Sequence, residues 1–159
     1  MKTSTLDKNI ARFARKFGIT NAKHSDTFYY DAITRRIYYT VFSYQEDKII
    51  DDIVSKKYNI NLDDWYFVFR ILHEIGHHLT LNNLSSEEIA EDNAMRFIIE
   101  TVDDVKIANE TYFSLPSERA ANEWAIKYLD EHISECWKFQ RKCGAIMRHL
   151  YKKNFSKTY

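Results

Sequence analysis

His73-Glu74-Ile75-Gly76-His77 holds the residues of this chain best placed to do chemistry. On a helix, residues four apart share a face, one turn from each other. His73 and His77 can then offer two imidazole nitrogens to one tetrahedral metal ion. Glu74 lies about 100° further round the helix than His73. A carboxylate there sits beside an activated water and can act as its general base. Zinc is the expected ion. Its catalytic sites use three protein ligands and keep a fourth position for water. The motif supplies two, so the third must come from elsewhere in the chain.

The stronger candidate is Glu118, in Ser117-Glu118-Arg119-Ala120-Ala121-Asn122-Glu123-Trp124-Ala125. Glu118 and Asn122 are i and i+4 and share a face flanked by the small side chains Ala121 and Ala125. That flank lets the two helices approach closely. Asn122 could accept from the second ring nitrogen of a ligand histidine and so fix its tautomer. Glu88 and Glu91 remain alternatives, with Asp92 at i+4 from Glu88. They follow His77 closely, which leaves little chain for a return to the metal.

Several elements must position these groups. Leu6, Ile10, Phe13 and Phe17 recur at helical spacing and Gly18 ends the run, predicting a helix over 5–17. Residues 27–30 and 37–42 are aromatic and β-branched around a turn from Asp31 to Arg36, which predicts a β-hairpin. A second helix is expected over 46–58. A third, over 63–80 with caps among Asn61 to Asp64, carries the motif. On it Val68, Ile71, Leu72, Ile75 and Leu79 form one apolar face. His73 and His77 project away from that face, towards Arg70 and over a cleft. Gly76 is expected to leave room beside the metal, and His78 to be a surface residue within reach of Glu74. Further helices are expected over 86–107, over 116–131 with Pro116 at its start, and within 132–155. The class is α+β, mostly helical, with a small antiparallel hairpin beside the motif helix.

The 159 residues suit one domain with a real core. Net charge is zero but uneven. Residues 84–131 carry twelve acidic and four basic side chains, whereas residues 137–159 carry seven basic ones and no acid. That basic segment reads as a solvated helix face. Zero net charge and the lack of a recognisable motif argue against nucleic acid as a partner. Cys136 and Cys143, seven apart on a helix, are about 10 Å from each other, too far for an unstrained disulfide. They read as free thiols in a reducing compartment. No apolar run is long enough to span a membrane, and residues 1–18 lack a signal peptide's apolar centre. A cytoplasmic protein is expected.

Two segments resemble the ImmA/IrrE family of zinc metallopeptidases, in the gluzincin group. One is Leu72-His73-Glu74-Ile75-Gly76-His77. The other is Glu118-x-x-Ala121-Asn122-x-Trp124-Ala125-x-x-Tyr128-Leu129. The similarity covers residues 1–131; residues 132–159 form a basic helical extension beyond it. Trp124 stands where the family usually has Phe, and the usual Pro after the second segment is absent. The resemblance implies a zincin-like domain, Zn2+ on His73, His77 and Glu118, and Glu74 as the catalytic glutamate. It further implies peptide hydrolysis, with a protein substrate such as a transcriptional repressor. Gluzincins often add a Tyr or His donor to the oxyanion, for which Tyr112, Tyr128, His132 and His149 are the candidates. The rival expectation is a non-catalytic metal-containing module that binds a regulator.

Overall fold

The computed structural model describes residues 4–41, 52–62 and 65–155. Helix α1 (Ser4–Ala14) buries Leu6, Ile10 and Phe13, the residues whose spacing predicted it. A single 3-10 turn, Arg15–Phe17, follows it. Gly18 then closes the run with φ +88° and donates its N–H to the Arg15 carbonyl. That left-handed geometry favours glycine.

Three short strands come next: β1 (Asn21–His24), β2 (Tyr29–Asp31) and β3 (Arg36–Tyr39). β2 and β3 form the expected antiparallel hairpin, in the register Tyr29↔Tyr38 and Tyr30↔Ile37. Tyr29 and Tyr38 stack with ring centroids 4.3 Å apart. Asp31 organises the turn, accepting from the backbone N–H of Ile33 and Thr34 and from the Thr34 hydroxyl. β1 is a correction to the sequence reading. It pairs parallel to β3, so the sheet is mixed, in the order β1-β3-β2. Four residues of alternating exposure, Asn21 to His24, were too short and too polar to read as a strand.

Helix α2 is described over residues 52–58; the earlier part of the expected 46–58 helix lies outside the described residues. Helix α3 (Tyr66–Thr80) carries the motif and runs through the middle of the molecule. Every residue from Phe67 to Gly76 is buried, so the helix has no solvent face over three turns. The apolar stripe contacts the core, and the histidine side faces another helix, with His73 at a cleft between them and the sheet. The expected caps differ too. Trp65 is the N-cap and makes no side-chain cap bond, and Asp63 and Asp64 lie outside the described residues. Gln140 reaches in from a distant helix and accepts the Val68 N–H at 2.8 Å, taking up one orphan donor of the first turn.

The single helix expected over 86–107 is two. α4 (Ser86–Thr101) starts on a capping box between Ser85 and Glu88. α5 (Val105–Tyr112) starts afresh because Asp104 accepts from the N–H groups of Lys106 and Ile107. α6 (Pro116–Glu131) has Pro at its first position. α7 (Ile133–Phe155) is one long helix. Its inner side belongs to the core: Cys136, Phe139 and Cys143 are buried, and Phe139 stacks on Phe13 at 4.1 Å. The architecture is mostly helical with a three-stranded mixed sheet, an α+β arrangement. Among the described residues, no helix is long and apolar enough to cross a membrane.

Candidate metal centre

The site forms where α3 lies against α6. A Cβ built on Gly76 would stand 2.7 Å from the Ala121 carbonyl oxygen and 2.9 Å from its Cα. No real Cβ tolerates that, so glycine lets two helix backbones nearly touch. The expected role for Gly76, room beside a metal, is therefore replaced by another. It makes room for α6. Ala121 and Ala125 are fully buried on the facing side, as their small size requires. This approach turns Ser117, Glu118 and Asn122 inward while Arg119, Glu123 and Lys127 stay outside.

His73, His77 and Glu118 meet there and form a group that could hold a metal ion. The Nε2 atoms of His73 and His77 are 3.0 Å apart. Glu118 places Oε2 3.1 Å from His73 Nε2 and Oε1 3.4 Å from His77 Nε2. Ligands about 2.0–2.1 Å from a tetrahedral ion stand roughly 3.3 Å from one another. The three separations match that figure, and the donor set of two imidazoles and a carboxylate suits zinc. Asn122 Oδ1 lies 2.8 Å from His73 Nδ1. With the amide oxygen accepting, the ring proton sits on Nδ1 and the Nε2 lone pair faces the cluster.

The electrostatics are those of a buried site: His73, Glu74 and Glu118 are all buried. Burial raises the Glu118 carboxyl, but hydrogen bonds and charge from His73 and His77 outweigh it and hold the group well below the usual range. Burial lowers His77, yet the Glu118 carboxylate more than offsets this and the net shift is upward. Glu74, 5% exposed, is raised chiefly by its own burial, against the pull of the two histidines.

Glu74, His73, Glu118 and Asn122 line a cleft of about 510 Å3. Its floor includes Phe69, Arg70 and His73 of α3; Thr27 and Phe28 reach it from the sheet side, and Val105, Asn109 and Tyr112 from α5. Of the four residues considered as oxyanion donors, only Tyr112 lines this cleft. Its ring is 37% exposed at the mouth. Burial of the hydroxyl, then the Glu118 carboxylate, keeps its phenol protonated far above the normal range. Tyr128 is elsewhere, bonded to Lys16 and Glu135 and stacked on His132. His149 is an exposed residue of α7. His78 does not approach Glu74 as a partner: its Nδ1 is 2.6 Å from the Tyr30 hydroxyl, which ties α3 to β2.

The alternative ligands are committed to other tasks. Glu88 completes the cap of α4, and Glu91 is exposed. Asp92 holds α6. Its Oδ1 accepts both the Ser117 N–H at 3.0 Å and the Ser117 hydroxyl at 2.5 Å, while Arg96 donates to Oδ2 at 2.7 Å. Arg96 also reaches the Ser117 hydroxyl. Asp92 thus fixes the residue next to Glu118. The sequence reading placed Asp92 with the wrong group, though Pro116-Ser117 signalled a helix start in need of an acceptor. Lys57 completes the frame by donating to the Phe113 carbonyl at 2.7 Å. Compared with protein-family models, curated proteins and solved structures, the chain matches none.

Proposed function

We propose that this protein is a zinc-dependent metallopeptidase of the zincin type. The observation that carries the reading is the meeting of His73, His77 and Glu118 in one group, of which His73 and Glu118 line the same cleft as Glu74. A structural metal site needs a closed shell of ligands and no base. Here three ligand groups adjoin a buried carboxylate at the wall of an open cleft. The resemblance to the ImmA/IrrE family supports the same conclusion and adds a repressor protein as a substrate class.

When bound, the metal supplies Lewis acidity, lowering the pKa of water and polarising a carbonyl. The chain's own residues do the rest. Glu74 accepts the proton of the attacking water and passes it to the leaving amine; its burial raises it towards the range such a shuttle needs. Tyr112, held protonated, donates to the oxygen that develops charge. Asn122 keeps His73 in the tautomer that turns Nε2 to the cluster. β2, an outer strand of the sheet, follows Thr27 and Phe28 out of the cleft and offers an edge to an extended peptide.

The test joins metal content, measured by mass spectrometry, with cleavage of a proteome-derived peptide library. The expected result is one zinc per chain and cleavage by the wild type that Glu74→Gln abolishes with zinc retained. Equal cleavage by both proteins would refute the role of Glu74. A zinc-free wild type purified without chelator would refute the metal site.

A further inference from the structure

We propose that α5 is the specificity wall of the cleft, selecting a bulky apolar side chain flanked by basic residues in an extended peptide. This inference rests on the peptidase reading for its chemistry but not for its test. Val105, Asn109 and Tyr112 are i, i+4 and i+7, so one face of α5 lines the cleft. Val105 on that face is 73% exposed. It sits in the first turn of α5 and lines the cleft. Phe28 and the buried Phe113 line the same space. A volume of about 510 Å3 takes a few side chains of an extended segment rather than a folded surface. The cleft's apolar side chains favour an aromatic or aliphatic group.

Charge decides what flanks that group. Residues 100–112 carry the acids Glu100, Asp103, Asp104 and Glu110 against the single base Lys106, and all five are exposed. Lys106 lies 3.9 Å from Glu110, whereas Asp103 and Asp104 immediately precede Val105, which lines the cleft; their field steers cations towards that end of it. An acidic peptide meets the opposite field.

The experiment measures fluorescence-anisotropy binding of three labelled peptides to the Glu74→Gln protein, which keeps them intact. One has Phe flanked by lysines, one Phe flanked by aspartates, one Ser flanked by lysines. The first is expected to bind at least tenfold tighter than either other. Val105→Ser should weaken it several-fold and leave the Ser peptide unchanged. Asp103→Lys with Glu110→Lys should bring the aspartate-flanked peptide up to it. Equal binding of all three, or an unchanged affinity in Val105→Ser, overturns the proposal. Cleavage of the same peptides by zinc-loaded wild type is scored separately. Selective binding without cleavage would sink the peptidase reading and leave this one standing; cleavage without selectivity would do the reverse.

Discussion

At the scale of single residues, the site is a set of unequal dependencies. Glu118 is expected to be indispensable to the metal: Glu118→Ala leaves only two histidines, and zinc measured after gel filtration should fall to background. Asn122 acts through His73. Asn122→Ala should weaken zinc about 10–100-fold, the usual cost of losing a partner behind a ligand, as read by chelator competition. Tyr112→Phe should leave zinc content intact and lower kcat about 10²–10³-fold, the cost of one oxyanion donor. The two cysteines carry no such role. Burial pushes Cys136 up to about 11 and Cys143 up to about 12, and Asn9 donates to the Cys143 sulfur. Both should react with a thiol reagent only after unfolding.

At the scale of elements, two contacts hold α6 where the site needs it. One is Gly76 against Ala121. Gly76→Ala would gain about 1 kcal/mol of helix propensity. It would have to push α6 away to do so, and overpacking of this kind costs roughly 1–3 kcal/mol. The expected outcome is lower stability in urea and a larger loss of zinc affinity, because the shift moves Glu118 directly. The other is Asp92 at Ser117. Burial raises Asp92, but the Ser117 hydroxyl and N–H and the Arg96 guanidinium outweigh it, so the folded pKa is lowered. A lowered folded pKa stabilises above the unfolded value of about 3.9, and that stabilisation is lost as pH falls through the folded value. Urea unfolding should show the wild type losing its advantage over Asp92→Asn as pH drops below about 4. The sequence made the motif helix, the Glu118/Asn122 face and the Ala flank legible, since each is a pattern within one helix. It did not reveal Asp92, Gln140 or Lys57 as anchors. Each bonds a partner across a tertiary contact, with no periodicity to mark it. The break between α4 and α5 was visible only as Asp103-Asp104, two acids inside a helical pattern.

At the scale of the whole molecule, α7 is not an appendage. Its charged residues Lys138, Arg141, Lys142 and Arg148 are exposed, as the basic run suggested. Its other side supplies Cys136, Phe139 and Cys143 to the core and Gln140 to the start of α3. Phe139→Ala should cost about 3–5 kcal/mol in equilibrium unfolding. Removing residues 133–159 should unfold the protein, seen as loss of cooperative melting, instead of yielding a trimmed and active form. The rings of Phe13, Phe17, Trp124 and Tyr128 serve the same end, packing edge-on or stacked from the N-terminal segment to α6, and Lys16 lies over three of them.

The near-contact of Gly76 with Ala121 also sets an order of events. Glu118 comes 41 positions after His77, and it reaches the histidines only when two helix backbones have docked. As the chain emerges during synthesis, His73 and His77 are present first, without their third partner. A nascent chain therefore offers a two-point, low-affinity site to passing ions. Tight loading must wait for the finished tertiary structure, and on the proposed reading so must the chemistry assigned to Glu74.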